Sequence, residues 1–403
     1  MKLTIFGGIT GFDKSDFIHK FIVTCLEKHG YSTDLDDERS RSFIQYIKFE
    51  DVLLDITGAV DISRFLARPS LYEKINAVER AFSRVGTQIK NSEAEHVFLN
   101  IHFSCIHQSQ YFTPMTAANL NELDPSPDEE IRVVTLIDDV YHIWDVLRKR
   151  EDEFQKTSLR LREILSWHSV ELMQAETVAN NLTTEKRNVS NYLYAVRHPF
   201  VSLYNLVFTN NPVCLYLSFP ITNTRDHPER IEDINTFRKT MFGIAEDLGV
   251  CIFDPVSIDE LALNNAETEG GNRILNAEQR WPLDVELLVN EPDWPISIPE
   301  NEVLEAERDI SNNIKPRDFK LIDNSIFTTV YRKNYGGRSE GVNAEIQYTI
   351  SRMKKPYVYD PKEDSDPRIP HPFNLEELIY NDKDVFYDEI KKGIEYYKER
   401  QNR

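Results

Sequence analysis

Arg338–Asp360 reads RSEGVNAEIQYTISRMKKPYVYD, and this stretch decides how the second half of the chain is interpreted. Small, loop-forming residues open it, and the apolar spacing that follows predicts a helix from Val342 to Met353. Pro356 prevents the helix from continuing, and the apolar run from Tyr357 to Tyr359 predicts a short buried strand. A loop, a helix and a buried strand in this order are typical of an α/β domain with a parallel sheet.

One acidic residue in this stretch is placed for chemistry. The pattern predicts Glu345 in the first turn of the helix, where exposed amides and a partial positive charge favour an ionised carboxylate. Ser339 and Gly341 lie just before the helix, where free N–H groups can hold a phosphate. A carboxylate nucleophile and an anion site within one turn of each other suit chemistry at the sugar of a nucleotide. The alternative is that Glu345 is an ordinary first-turn acid that interacts only with the helix dipole.

Three segments of the second half resemble one enzyme family. The motif S-x-G-V-x-x-E at residues 339–345 resembles the signature of the nucleoside 2-deoxyribosyltransferases and of the related 2'-deoxynucleoside 5'-monophosphate N-glycosidases. CLYLSFP at residues 214–220 resembles the first strand and substrate-binding loop of that family. RDFKLID at residues 317–323 resembles the family's helix that carries an Asp beside the base and sugar. The resemblance covers residues 212–360, with the three segments in the expected order.

The resemblance implies roles for individual residues. Glu345 would attack the anomeric carbon, Asp318 would protonate or orient the leaving base, and the Tyr216 hydroxyl would reach the catalytic carboxylate. Taken alone, Asp318 fits the cap of a helix equally well, and Tyr216 fits a core aromatic residue. The resemblance also implies residues that contact the substrate, with Ser339 at the 5'-phosphate: Ser218, Phe219, Pro220, Arg225, Ser339, Gly341 and Asn343.

The expected reaction is hydrolysis of the N-glycosidic bond of a (deoxy)nucleoside 5'-monophosphate, or transfer of the sugar to a second base. The Ser at position 339 favours a 5'-phosphorylated substrate and therefore hydrolysis. This chemistry is expected to need no cofactor and no metal. Two alternatives stay open: a nucleotide sensor whose second half is a binding module, and a nucleotide kinase whose second half is regulatory.

The first half opens with a second motif. A predicted strand is followed by GITGFDKS at residues 8–15 and then by a helical pattern, which is the layout of a phosphate-binding loop. Gly8, Gly11, Lys14 and Ser15 are its candidate nucleotide-binding residues, with ATP or GTP and Mg²⁺ as the expected ligands. Asp13 stands where the last glycine of the pattern belongs, and its carboxylate would face the polyphosphate. The alternative is a degenerate loop that is kept for the fold.

An acidic residue follows a later strand of this half. Residues 133–137 (VVTLI) predict a buried strand that leads to Asp138, a position that commonly serves Mg²⁺ in nucleotide kinases. Asp138 also fits the start of the helix predicted over residues 140–150. With the helix predicted over residues 159–181, this half resembles adenylate-kinase-like P-loop proteins, although less closely than the second half resembles its own family.

Composition limits the class of protein. A length of 403 residues predicts two domains, and 40% hydrophobic residues are enough for two cores. A formal net charge of −20 argues against non-specific nucleic-acid binding. The four cysteines are far apart and form no C-x-x-C pattern, so we expect a reducing, cytoplasmic environment. No apolar run is long enough to span a membrane, so we expect no membrane partner.

These observations predict an α/β protein with two doubly wound, parallel-sheet domains. We expect a P-loop kinase-like domain over residues 1–205 and a deoxyribosyltransferase-like domain over residues 206–403. Residues 264–301 would be an insertion that forms a lid, a contact with the first half or an oligomer contact. An amphipathic helix predicted over residues 382–400 would pack on its own domain or on a second copy in a homo-oligomer.

Overall fold

The structure, a computed structural model, describes most of the chain. The described residues are 1–66, 70–107, 110–123, 130–149, 159–184, 187, 189–225, 227–283, 288–289, 291–333, 339–361 and 379–401. The helices are α1 (Lys14–Lys28), α2 (Glu38–Phe43), α3 (Phe49–Thr57), α4 (Ile62–Leu66), α5 (Leu71–Lys90), α6 (Ala117–Glu122), α7 (Val140–Lys149), α8 (Leu161–Leu182), α9 (Phe200–Phe208), α10 (Pro228–Leu248), α11 (Glu300–Asp323), α12 (Glu340–Ser351) and α13 (Lys383–Gln401). The strands are β1 (Lys2–Gly7), β2 (Ile44–Lys48), β3 (His96–Asn100), β4 (Cys105–His107), β5 (Gln110–Phe112), β6 (Glu130–Ile137), β7 (Val189–Ala195), β8 (Cys214–Ser218), β9 (Cys251–Phe253), β10 (Glu267–Glu269), β11 (Asn272–Leu275), β12 (Ile296–Pro299), β13 (Phe327–Tyr331), β14 (Lys355–Tyr359) and β15 (Ile379–Tyr380).

The chain divides into two compact units. The first unit comprises Met1–Val196, Glu260–Ala277 and Leu288–Ile310, and the second comprises Arg197–Asp259, Glu278–Leu287 and Ser311–Arg403. The boundary predicted between residues 205 and 206 lies inside α9, which belongs to the second unit. Residues 264–277 and 288–301 of the predicted insertion belong to the first unit.

The first unit is built on a five-stranded parallel sheet of order β2-β3-β1-β6-β7. Helices cover both faces of it, and this explains why β3 and most of β6 are continuously buried. Leu3 and Ile5 of β1 pack in a cluster with residues of α5 and α8. Phe6, on the opposite face, contacts Phe21 of α1 at a ring-centroid distance of 6.3 Å. An antiparallel sheet of order β10-β11-β12 also belongs to this unit.

The second unit is built on another five-stranded parallel sheet, of order β15-β14-β13-β8-β9. Leu215 and Leu217 of β8 pack in a cluster with residues of α10 and α13. The helix α13 buries Phe386, Ile390 and Ile394 in this cluster, as its amphipathic pattern predicts for a helix that packs on its own domain. On the opposite face of the sheet, α12 packs on β13 and β14. The α/β class and the two parallel sheets are therefore confirmed.

One helix begins earlier than predicted, and another continues through a proline. The helix α11, which carries RDFKLID at residues 317–323, is one helix of 24 residues that contains Pro316. The other helix, α12, begins at Glu340 instead of Val342, because the Ser339 side chain accepts a hydrogen bond from the amide of Val342 and caps the helix earlier.

Candidate active site

Two hydroxyl groups at the end of β8 bind one carboxylate. Tyr216 and Ser218 are two residues apart on a strand, so their side chains point to the same face of the sheet. Both are fully buried, and they face α12. The Tyr216 hydroxyl donates to Glu345 Oε1 at 3.0 Å, and the Ser218 hydroxyl donates to Glu345 Oε2. The structure thus brings together two predicted catalytic residues and one predicted substrate-binding residue.

Glu345 lies in the second turn of α12, because the helix begins at Glu340. The expectation that it lies in the first turn is therefore wrong, and so is the expectation that the helix terminus keeps it ionised. The pKa of Glu345 is raised from its ordinary value of 4.5 to about 8. Burial is the largest cause and the charge of Asp318 is the second, whereas the hydroxyls of Ser218 and Tyr216 lower the pKa. The residue as a whole is half-buried, but its carboxyl group is buried, which is why burial is the largest cause of the raised pKa.

Asp318 is the second carboxyl group of the site. It is 5% exposed and lies late in α11, so the alternative interpretation of a helix cap is wrong. The guanidinium of Arg317 donates to Asp318 Oδ1 from Nε at 3.1 Å and from Nη2 at 3.0 Å. Burial raises the pKa of Asp318, and Arg317 opposes that rise. Two neighbouring buried carboxyl groups repel each other when both are ionised, so the pair favours a state with one proton.

Arg317 is the residue of this site that the sequence interpretation missed. It belongs to the recognised segment RDFKLID but had no role in it. Its neighbour in the chain is an acid in a buried environment, and a buried acid requires a partner. An Arg next to a candidate catalytic Asp is the signal that identifies it.

Contacts between α11 and α12 hold the two carboxyl groups in place. The rings of Phe319 and Tyr348 stack at a centroid distance of 4.0 Å with an interplanar angle of 3°. The Tyr348 hydroxyl donates to Asp323 at 2.9 Å, and Arg352 Nε donates to the same carboxylate at 2.8 Å. These contacts surround the last turn of α11, just after Asp318, and fix it against the helix that carries Glu345.

The predicted phosphate-binding residues lie at the N-terminus of α12. Ser339 Oγ accepts from the Val342 amide at 3.3 Å, so this hydroxyl serves as the helix cap. Gly341 is exposed and Asn343 is half-buried. Residues 334–338, which precede this N-terminus, lie outside the described residues.

Three other predicted substrate-binding residues have structural contacts. The Phe219 ring is buried against Phe237 and Trp281, at centroid distances of 6.3 and 6.0 Å. The carbonyl group of Pro220, which is also buried, accepts from Thr224 Oγ1 at 2.6 Å.

The third of these residues is a cation. Arg225 donates to Asp259 Oδ2 and to the carbonyl oxygen of Gln279, each at 3.0 Å. The structure therefore does not bring Phe219, Pro220 or Arg225 to Glu345 through a hydrogen bond.

The predicted phosphate-binding loop of the first unit has its own internal contacts. Gly8 and Gly11 have φ angles of +135° and +121°, and a side chain at Gly8 would meet the Leu136 carbonyl oxygen at 2.5 Å. The buried Lys14 ammonium donates to the carbonyl oxygens of Gly8 at 3.2 Å and Ile101 at 2.6 Å. Burial lowers the pKa of Lys14 to about 8.

The remaining predicted residues of this loop also have local partners. Asp13 caps α1 by accepting from the Asp16 amide at 2.9 Å, and Ser15 Oγ accepts from Asn100 Nδ2 at 3.1 Å. Asp138 accepts from the amide of Asp139 at 2.8 Å and contacts the ring of His142 at 2.5 Å.

An acid that the sequence interpretation did not use lies behind this loop. Glu171 of α8 is 1% exposed and accepts from three backbone amides: those of Gly8 at 2.8 Å, Phe103 at 2.9 Å and Ser104 at 2.7 Å. The Ser104 hydroxyl is a fourth donor, at 2.5 Å. Burial raises the pKa of Glu171, while Lys14 and these donors lower it. The site assembles from residues up to 163 positions apart, so no local pattern could indicate it.

The described residues hold no group of three or more His, Cys, Asp or Glu side chains arranged to bind a metal ion. Within the same residues, no helix combines the length and apolar character that crossing a membrane requires. No protein-family model matches the sequence, and no curated protein is significantly similar to it. The motif resemblance and the geometry are therefore the basis for assigning a function.

Proposed function

We propose that the second unit hydrolyses the N-glycosidic bond of a (deoxy)nucleoside 5'-monophosphate, with Glu345 as the nucleophile. One observation carries the proposal: the Glu345 carboxylate accepts from the Tyr216 and Ser218 hydroxyls and lies within electrostatic reach of the buried Asp318. A retaining glycosidase works with two carboxyl groups, one ionised as the nucleophile and one protonated as the acid. A deoxyribosyltransferase-like fold for this unit and a P-loop kinase-like fold for the first unit form part of the same proposal.

The reaction proceeds in two displacements. Ionised Glu345 attacks C1' from the face opposite the base, a C1'–O bond forms and the C1'–N bond breaks, with its electron pair leaving on the base. The developing positive charge on the sugar is stabilised by the nearby negative charge. Water then attacks C1' and gives a proton to the Asp318 carboxylate. The C1'–O bond to Glu345 breaks, which releases the 5-phosphosugar and restores the Glu345 carboxylate.

The carboxyl pair supplies the proton that the leaving base needs. With one proton on the pair, the reactive form has Glu345 ionised and Asp318 protonated, and Asp318 passes the proton to the departing base. Arg317 opposes this form because it favours ionised Asp318. If Asp318 instead orients the base, it does so through its ionised carboxylate.

The N-terminus of α12 is suited to binding the 5'-phosphate of the substrate. Its first amides and the Ser339 hydroxyl lie one and a half helical turns before Glu345. Gly341 is exposed and has no side chain that would block a phosphate. A helix N-terminus favours an anion through its free N–H groups and its partial positive charge. The 5'-phosphate would bind there while C1' lies at Glu345.

Incubation with a panel of nucleotides tests this function. The purified protein is incubated with ribo- and deoxyribonucleoside 5'-monophosphates and with the corresponding nucleosides, and free base is measured by chromatography. We expect free base from a monophosphate and none from the Glu345→Gln variant. A second base in the mixture separates transfer from hydrolysis, because transfer gives a new nucleotide. Phosphate transfer from ATP that persists in the variant, without free base, would support the kinase alternative and reject the proposal.

A further inference from the structure

The first unit encloses a cavity that the proposed glycosidase does not use. Its volume is about 870 Å³, which is within the range of small-molecule sites. Lys14, Ser15 and Asn100 line one part of it. Much of the remaining wall is aromatic and consists of Phe49, Phe65, Phe112 and Trp167. The wall of the cavity therefore has a small polar part and a larger apolar part.

The groups that would bind a polyphosphate in this cavity are already used by the protein. The Gly8 amide donates to the Glu171 carboxylate, and the Lys14 ammonium donates to the carbonyl oxygens of Gly8 and Ile101. The N-terminus of α1 is capped by the Asp13 carboxylate, which occupies the position where an anion would bind. A triphosphate would have to displace these contacts.

The other lysine of the cavity wall is also paired. Lys48 lies 3.4 Å from Asp51 and 4.0 Å from Glu50, and Glu50 itself lines the cavity. With Asp13 also in the wall, the charges around the cavity favour a ligand without phosphate groups.

Asn100 supplies an acceptor for such a ligand. It is 4% exposed, and its Nδ2 donates to Ser15 Oγ at 3.1 Å and to the Tyr46 hydroxyl at 2.9 Å. Its Oδ1 accepts a hydrogen bond from none of the residues that the structure describes. A buried carbonyl oxygen beside an open cavity gains free energy when a ligand donates to it.

We propose that this cavity binds a planar aromatic molecule that carries no phosphate and that donates an N–H group to Asn100 Oδ1. The aromatic wall would pack against the ring of the ligand and Asn100 would fix its orientation. Free nucleobases and nucleosides have this chemistry and are the probes of choice. The proposal does not depend on the glycosidase activity of the second unit.

Calorimetric titration of the full-length Glu345→Gln protein tests the proposal, since this variant is not expected to consume nucleotides. The ligands are a base, its nucleoside, its 5'-monophosphate and its 5'-triphosphate, each with and without Mg²⁺. We expect the base or the nucleoside to bind at least about tenfold more tightly than the triphosphate, with no Mg²⁺ dependence. Tighter binding of the triphosphate, dependence on Mg²⁺, or no binding of bases and nucleosides would overturn the proposal. This comparison of ligand affinities is made with the cavity residues unchanged.

A matched pair of substitutions assigns the binding to this cavity. Asn100→Asp keeps an acceptor oxygen, whereas Asn100→Leu removes it with a side chain of similar branched shape, so we expect affinity to be retained in the first and reduced about tenfold in the second. Tryptophan fluorescence, to which Trp167 of the cavity wall contributes, should change on ligand binding in the Asn100→Asp protein. In the Asn100→Leu protein the same change should need higher ligand concentrations. Adenine, which has an N6–H donor, should bind more tightly than N6,N6-dimethyladenine, which has none at that position. Equal affinity of both variants, or of both ligands, would reject the assigned role of Asn100.

Discussion

Glu171 in the first unit and Glu345 in the second both bind residues at or just after the ends of parallel strands, but their partners are of different kinds. Glu171 is 1% exposed and accepts from three backbone amides and one hydroxyl. Glu345 is half-buried, accepts from two hydroxyls and has Asp318 as a like-charged neighbour.

The difference separates a structural acid from a reactive one. Backbone amides are fixed in the fold and do not give up their protons. Because Glu171 accepts hydrogen bonds from them, both its carboxylate and these buried donors have hydrogen-bond partners. The partners of Glu345 are side-chain hydroxyls and a second carboxyl group, and the pKa of Glu345 is raised to about 8. A carboxyl group whose pKa is raised this far towards neutral pH is suited to proton transfer and nucleophilic attack.

The largest effect is expected for Glu345→Gln. The variant keeps the size of the side chain but removes the nucleophile, so the rate of base release should fall by roughly 10⁴-fold or more. Its free energy of unfolding should not fall, because the substitution removes the repulsion from Asp318. Single-turnover measurements of free base, with denaturant unfolding as the control, check both statements. If the variant retains most of the wild-type rate, Glu345 has a structural role, as Glu171 does, and is not the nucleophile.

The next effect is expected for Glu171→Gln, measured as stability instead of rate. The substitution removes the charge that balances Lys14 and replaces a carboxylate oxygen that accepts two bonds from Ser104. We expect the free energy of unfolding to decrease by about 2–4 kcal/mol. Urea unfolding followed by circular dichroism measures this, and Glu345→Gln is the matched control. An unchanged unfolding midpoint would remove the distinction between the two acids.

A smaller effect is expected on the pH profile of base release. If Asp318 orients the base as a carboxylate, the pair reacts with both groups ionised, and kcat/KM should rise with pH through the Glu345 pKa of about 8. If Asp318 is the acid, kcat/KM should instead fall through that pKa, because the pair then loses the proton that the leaving base needs. Asp318→Asn removes a neighbouring negative charge that makes ionisation of Glu345 harder, so the rising limb should move to lower pH by about one unit. Profiles of kcat/KM for the wild type and the variant test this. A limb that moves to higher pH would show that repulsion from Asp318 does not set the pKa.

The smallest effect is expected for the two hydroxyls. Each stabilises the ionised form of Glu345 by donating to it, so Tyr216→Phe and Ser218→Ala should each raise its pKa and move the rising limb to higher pH. The shift should be opposite in direction to that of Asp318→Asn. Thr349→Val is a suitable control because Thr349 donates to the Glu345 backbone carbonyl and not to its carboxyl group. If the Thr349→Val profile shifts as far as those of the two hydroxyl variants, the shifts report packing rather than the donated hydrogen bonds.

Much of the fold could be predicted because hydrophobic periodicity records which faces are buried. The runs at residues 133–137, 214–217 and 357–359 are strands because both faces of each sheet are covered, which makes the strands continuously apolar. The contact between Tyr216 and Glu345 was also predicted, from the resemblance of their two segments to one enzyme family.

Other features could not be predicted because distant contacts decide them. Pro316 is a local signal for a helix boundary, yet α11 continues through it as one helix. The raised pKa of Glu345 comes from burial and from Asp318, 27 positions earlier, and these outweigh the helix dipole. The anchoring of Gly8 by Glu171 joins residues 163 positions apart. Each case needs the tertiary structure, not the local sequence.

The discontinuous chain path of the first unit has a consequence for how the protein is made. At a synthesis rate of roughly 5–20 residues per second, positions 197–310 take about 6–23 s to leave the ribosome. Strands β8 and β9 of the second unit emerge during this interval, before the β10-β11-β12 sheet of the first unit can form. No single cut in the gene can therefore yield two polypeptides that each contain one whole unit.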